Sequence, residues 1–151
     1  MSSNHYPSRI LLIENDTDDC EVFGWALKDV SQYIRLECCY DCIQAPSRIA
    51  SFLPEIIFLD LRLPYKHGLQ YLAELQENHA LNHIPIIIYS SYMNPEEMKE
   101  AARLGAKYYF EKPHSYTELV AGLKHILEDR SWEKMPFEPM LLRNGAYHPI
   151  N

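Results

Sequence analysis

The chain has 151 residues, a formal net charge of -7, 47% hydrophobic and 23% charged residues. That is an ordinary globular composition with material for one domain and a sizeable core, and it excludes a fibre or a disordered chain. Phosphate-backbone binding needs a clustered Lys/Arg face, which the sequence lacks, so nucleic acid is not an expected partner. No apolar run reaches the roughly 18 residues that cross a bilayer, and residues 1–8 contain no apolar signal core. A cytoplasmic chain without a membrane partner is expected. Cys20, Cys38, Cys39 and Cys42 read as reduced, packed thiols, because adjacent cysteines in a strand point to opposite faces.

In chain order, Arg9 to Glu14 is the first short apolar run, as expected of a strand covered on both faces. Val22, Phe23, Ala26, Leu27 and Val30 follow at helical spacing. Tyr33 to Cys38 alternates and predicts an edge strand, and Ala45 to Phe52 predicts a short helix with Pro46 in its first turn. Glu55 to Asp60 is the third strand, followed by a helix carrying Leu69, Leu72 and Leu75. Ile84 to Ser90 is the fourth strand, and Asn94-Pro95-Glu96-Glu97 opens the next helix with a cap and a Glu three residues later. Lys107 to Glu111 is aromatic and amphipathic and predicts the other sheet edge, before Ser115-Tyr116-Thr117-Glu118 opens a last helix through Leu127. Trp132 to Asn151, broken by Pro136, Pro139 and Pro149, reads as an extension and not a second domain. Five strands alternating with helices predict a doubly wound parallel α/β domain.

In such sheets the ligand crevice lies outside the carboxyl ends of the strands. Those ends carry Glu14-Asn15-Asp16, Asp60, Ser90-Ser91 and Lys112-Pro113. A carboxylate closing the buried run Ile56-Ile57-Phe58-Leu59 is costly unless it is solvated, paired or metal-bound. Several carboxylates on one rim repel, and a hard cation such as octahedral Mg²⁺ relieves that repulsion. A carboxylate nucleophile, a metal, a hydroxyl and an ammonium are what phosphoryl transfer to Asp requires, with Asp60 as acceptor and Ser90 and Lys112 on the phosphoryl oxygens. The plainer readings are a loop acid for Asp60, a strand-end hydroxyl for Ser90, a surface charge for Lys112 and a half-buried aromatic for Tyr109. His67, His79, His83, His114 and His125 read as solvated surface residues. Asp16, Asp18, Asp19 and Glu21 read as first-turn acids favoured by the helix dipole, of which only Asp16 is expected near the pocket.

On these strand-end residues the chain resembles a response-regulator receiver domain of two-component signalling, over Arg9 to Leu127. The resemblance implies a flavodoxin-like (βα)5 fold with strand order 2-1-3-4-5, divided as an N-terminal segment 1–8, a receiver 9–128 and an extension 129–151. It implies Asp60 as phosphoacceptor and Mg²⁺ held by Glu14, Asn15, Asp60 and the Arg62 backbone carbonyl. It also implies Ser90 and Lys112 as phosphate-binding residues, Ser90 and Tyr109 as switch residues, and a cis peptide at Lys112-Pro113. The expected partners are a sensor histidine kinase or histidine phosphotransfer protein, a downstream protein target and a second copy of the chain as a homodimer. The expected type is a stand-alone phosphoacceptor, not an enzyme beyond slow Mg²⁺-dependent phosphorylation and dephosphorylation of itself.

Asn15 departs from the pattern, standing where the family usually places its principal metal-binding Asp. That motivates an alternative, a pseudo-receiver that binds partners without phosphorylation. An Mg²⁺-dependent phosphatase with an aspartyl-phosphate intermediate fits less well, since Arg62 stands where such an enzyme places a second acid. Arg62 and Tyr92, two residues beyond Asp60 and Ser90, are expected to shield the phosphoryl group from water.

Overall fold

The computed structural model describes residues 6–91, 94–133 and 138–150. Its elements run β1 (Arg9–Ile13), α1 (Thr17–Val30), β2 (Arg35–Cys39), α2 (Ala45–Phe52), β3 (Ile56–Leu59), α3 (Gly68–Glu77), β4 (Ile86–Ser90), α4 (Pro95–Arg103), β5 (Tyr108–Glu111), α5 (Tyr116–Asp129), a 3₁₀ turn (Ser131–Glu133), β6 (Met140–Arg143) and β7 (Ala146–Pro149). The sheet order is β2-β1-β3-β4-β5-β6-β7. The first five strands are parallel and take the expected order 2-1-3-4-5.

The central strands are apolar throughout because both sheet faces are covered. On one face Phe23 and Leu27 of α1 and Leu119, Leu123 and Leu127 of α5 pack against Ile10, Leu12, Phe58 and Ile87. On the other, Ile49 and Phe52 of α2, Tyr71, Leu72 and Leu75 of α3 and Ala101 of α4 pack against Leu11, Ile13, Ile57 and Ile88. Residues alternate between the two clusters along each strand, as the two-residue side-chain period requires.

The sheet departs from expectation at its far edge. β5 is interior, because β6 pairs with it in parallel and β7 returns antiparallel. Tyr109 is accordingly 1% exposed and not half-buried. The hairpin turn is Asn144-Gly145, with φ of 52° and 77°; two successive left-handed residues make a tight connection whose twist matches the flanking strands, and Asn-Gly takes it at least cost. Tyr147 of β7 stacks on Tyr108 at 5.3 Å, and Trp132 meets Tyr108 edge-on at 5.5 Å. Three aromatics thus fasten the extension to β5, a gain from apolar burial that a free tail would forgo.

Candidate functional site

Strand pairing builds the site before any side chain contributes. Ile13 of β1 is in register with Leu59 of β3, so the next residues, Glu14 and Asp60, emerge side by side. The ladder runs one step beyond the strands, with Glu14 N–H donating to Cys39 O (2.9 Å), Asp60 N–H to Ile13 O (3.0 Å) and Lys112 N–H to Ser90 O (2.9 Å). These bonds fix four polar residues on one rim. Gly68, the first residue of α3, supports it from below. A Cβ there would lie 2.6 Å from Asp60 O and 2.6 Å from Leu61 Cα, so only glycine lets α3 start this close to the strand end.

Asp60, Glu14 and Ser90 are the buried polar or charged residues of the described chain. Asp60 Oδ1 accepts from Arg62 N–H at 2.9 Å, and Asp60 Oδ2 accepts from Lys112 Nζ at 3.1 Å. Glu14 Oε2 accepts from Asp16 N–H at 3.1 Å and Glu14 Oε1 accepts from Lys112 Nζ. Nζ also lies 5.2 Å from the centre of the Tyr89 ring, on its face. Lys112 Nζ donates in addition to Asp19 Oδ2 at 2.8 Å. The first-turn acids therefore sort differently from expectation. Asp16 is turned away as the N-cap of α1, accepting from the amides of Asp18 (2.9 Å) and Asp19 (3.2 Å), and Asp19, one turn further, reaches the pocket.

The electrostatics follow from burial. Glu14 is pushed up to about 7 by burial and then by the adjacent Asp60, with Lys112 opposing. Burial disfavours the Lys112 ammonium, but Asp19, Glu14 and Asp60 outweigh it and the net shift is upward. Among the described residues three carboxylates thus share the Lys112 ammonium.

Ser90 Oγ is buried with no hydrogen-bond partner among the described residues. Tyr109, on the same face of the neighbouring β5, is raised to about 12 chiefly by burial.

On the solvent side the Arg62 guanidinium grips Glu97 with two bonds, Nη1 to Oε2 at 2.8 Å and Nη2 to Oε1 at 2.6 Å. His67 is not a free surface histidine. Its Nδ1 accepts from Leu69 N–H at 3.1 Å as the α3 N-cap, and its Nε2 lies 3.1 Å from Glu97 Oε2. This clamp ties the loop after β3 to the first turn of α4, which Asn94 caps through the Glu96 and Glu97 amides. Tyr92 lies outside the described residues.

Among the described residues no group of three or more His, Cys, Asp or Glu side chains is disposed to hold a metal ion. The oxygen donors of the rim are Glu14, Asp60, the exposed Asn15 amide and the Arg62 carbonyl. Two carboxylates with neutral oxygens are hard donors, and burial together with the adjacent Asp60 makes the Glu14 charge costly without a cation, which gives a divalent ion a reason to bind; the residues fit such an ion.

Residues 10–124 match the response regulator receiver domain family. The response regulator protein GraR of Staphylococcus aureus is 31% identical over 119 residues, which are 78% of this chain and 50% of that protein. The chain thus spans about half the length of the curated relatives it matches. The Mn²⁺-bound form of response regulator Rcp1 aligns with a TM-score of 0.71 at 25% identity, covering 87% of this chain and 99% of that one. The phosphorylated cyanobacterial phytochrome response regulator RcpA gives a TM-score of 0.72 at 24% identity, over 84% of this chain and 94% of that one. The chemotaxis response regulator CheY4 of Vibrio cholerae gives 0.69 at 18%, over 80% and 98%; the last two speak for the fold alone. With its five parallel strands in the order 2-1-3-4-5 and a family match across most of its length, the chain belongs to the response regulator receiver domains.

Proposed function

We propose that the chain is a phosphoacceptor: Asp60 receives a phosphoryl group from a sensor histidine kinase or histidine phosphotransfer protein in the cytoplasm, and a downstream protein reads the altered surface. The observation that carries this reading is the Asp60 carboxylate itself, buried, with one oxygen on a backbone amide and the other on an ammonium. A carboxylate is a competent nucleophile once it is positioned, so the protein's task is to hold it in place. An Asp60 oxygen attacks phosphorus as the P–N bond to the donor histidine breaks, and the departing electron pair stays on the imidazole, which takes a proton. Lys112 and the unpartnered Ser90 hydroxyl then receive the phosphoryl oxygens, and Ser90 passes the change to Tyr109 directly behind it.

Glu14, Asn15, Asp60 and the Arg62 carbonyl would hold Mg²⁺, which supplies charge neutralisation to the phosphoryl oxygens. Rcp1 is known in an Mn²⁺-bound form, which supports a divalent site in this relative. In this reading residues 9–128 are the receiver, 129–151 its extension, and the Lys112-Pro113 peptide is cis. Incubation with acetyl phosphate and Mg²⁺ should add one phosphoryl group, about 80 Da, to the intact protein. No gain from acetyl phosphate or from a histidine phosphodonor would overturn the proposal in favour of a pseudo-receiver, the second reading that the neutral, exposed Asn15 favours.

A further inference from the structure

We propose that Asp19 is a positioning residue of this pocket: its carboxylate holds the Lys112 ammonium at the mouth. The inference rests on the reading of Asp60 as phosphoacceptor.

An ammonium has three N–H donors. In the structure they go to Glu14 Oε1, Asp19 Oδ2 (2.8 Å) and Asp60 Oδ2 (3.1 Å). The three acceptors differ in depth. The Glu14 and Asp60 side chains are 1% and 7% exposed, whereas that of Asp19 is 41% exposed. Lys112 is therefore stretched between an inner pair of carboxylates and an outer one.

When Asp60 becomes an acyl phosphate it ceases to be a carboxylate, and one donor of Lys112 must move to a phosphoryl oxygen while the others stay as tethers. Glu14 alone would draw the ammonium inward. Asp19 draws it outward, toward the side from which a phosphodonor arrives. The helix fixes where the Asp19 side chain starts, because Asp16 caps α1 and accepts from the Asp19 backbone amide.

The test uses the full chain with Asp19→Asn and Asp19→Glu. Asp19→Asn should slow acetyl-phosphate labelling at saturating Mg²⁺ on the order of tenfold, with the Mg²⁺ concentration for half-maximal rate moving less than about twofold, and Asp19→Glu should recover part of the rate. An unchanged rate at saturating Mg²⁺ overturns the inference. A shifted Mg²⁺ requirement with the saturating rate preserved overturns it too, since Asp19 would then serve the metal and not Lys112.

Urea unfolding gives a second readout free of phosphorylation. With Lys112 present Asp19 is attracted to the pocket, and without it Asp19 only repels Glu14 and Asp60. Asp19→Asn should lower the urea midpoint of the parent and raise that of Lys112→Ala, or of Lys112→Met if the alanine variant does not fold. A change of the same sign in both backgrounds overturns the inference. An adduct absent from the wild-type chain overturns the phosphoacceptor reading instead, and the unfolding cycle still decides whether Asp19 holds Lys112.

Discussion

Asp60 stands between two ion clusters that use the same chemistry in different solvent. Behind it, Lys112 and Glu14 are 13% and 1% exposed; in front, Arg62 and Glu97 are 42% and 18% exposed. In the first cluster burial lifts Glu14 to about 7, while for Lys112 burial works the other way and the carboxylates around it raise it on balance. In the second, the bidentate Arg62 bonds come first, and they hold Glu97 below the usual carboxylate range and raise Arg62. The inner cluster therefore sets protonation and charge, whereas the outer one fixes how the loop after β3 meets α4 and adds little stability.

The largest expected effect is at the residue both clusters serve. Asp60→Asn keeps the shape of the side chain and removes the nucleophile, so mass spectrometry after acetyl phosphate and Mg²⁺ should show complete loss of the adduct with an unchanged circular dichroism spectrum. An adduct retained in that variant would place the acceptor elsewhere.

Lys112→Ala breaks the inner cluster by leaving buried carboxylates without their cation. A loss of roughly 3–5 kcal/mol in urea unfolding at pH 8 is expected, shrinking at pH 5, where Glu14 takes a proton. A loss that does not depend on pH would show that packing, not charge, is what Lys112 supplies.

Glu14 sharpens the contrast through pH. Its pKa of about 7 in the fold stands above the ordinary 4.5, so the folded chain holds this proton more tightly than the unfolded one. The stability so gained is complete below pH 4.5 and is lost as pH rises through 7. Glu14→Gln should flatten the stability profile between pH 5 and 8 by up to about 3 kcal/mol, measured by urea unfolding in chelator. Parallel profiles for the two proteins would refute the raised pKa.

The smallest effect belongs to the outer clamp. Arg62→Ala should cost less than about 1 kcal/mol at low salt and nothing measurable in 1 M salt, while the phosphorylated form should lose its phosphoryl group a few-fold faster as the guanidinium no longer screens Asp60 from water. Unchanged decay would show that Arg62 serves only as a tie to Glu97.

Local signals carried the fold a long way. The helix starts at Asn94 and Ser115 were legible because a cap hydrogen bond spans three residues, and both caps are present. Asn144-Gly145 was equally local and was still missed, since Pro136, Pro139 and Pro149 made the segment read as an irregular tail. Asn-Gly between Leu141-Leu142 and Tyr147 is a hairpin signal in its own right. The expectation that Tyr109 lies at an edge failed with it, because an edge exists only where no later strand pairs.

A linear reading captures the parallel α/β core, the family, and which strand ends carry acids, a hydroxyl and a lysine, because apolar runs, helical spacing and caps are short-range patterns. Beyond that reach lie the pairing of Asp19 and not Asp16 with Lys112, the place of His67 in the Arg62–Glu97 clamp, and the need for Gly68 to lack a Cβ to clear Asp60. Each of those depends on the distance between residues far apart in the chain, which is fixed by strand register and by how closely a helix approaches the sheet, and neither is written in any one segment.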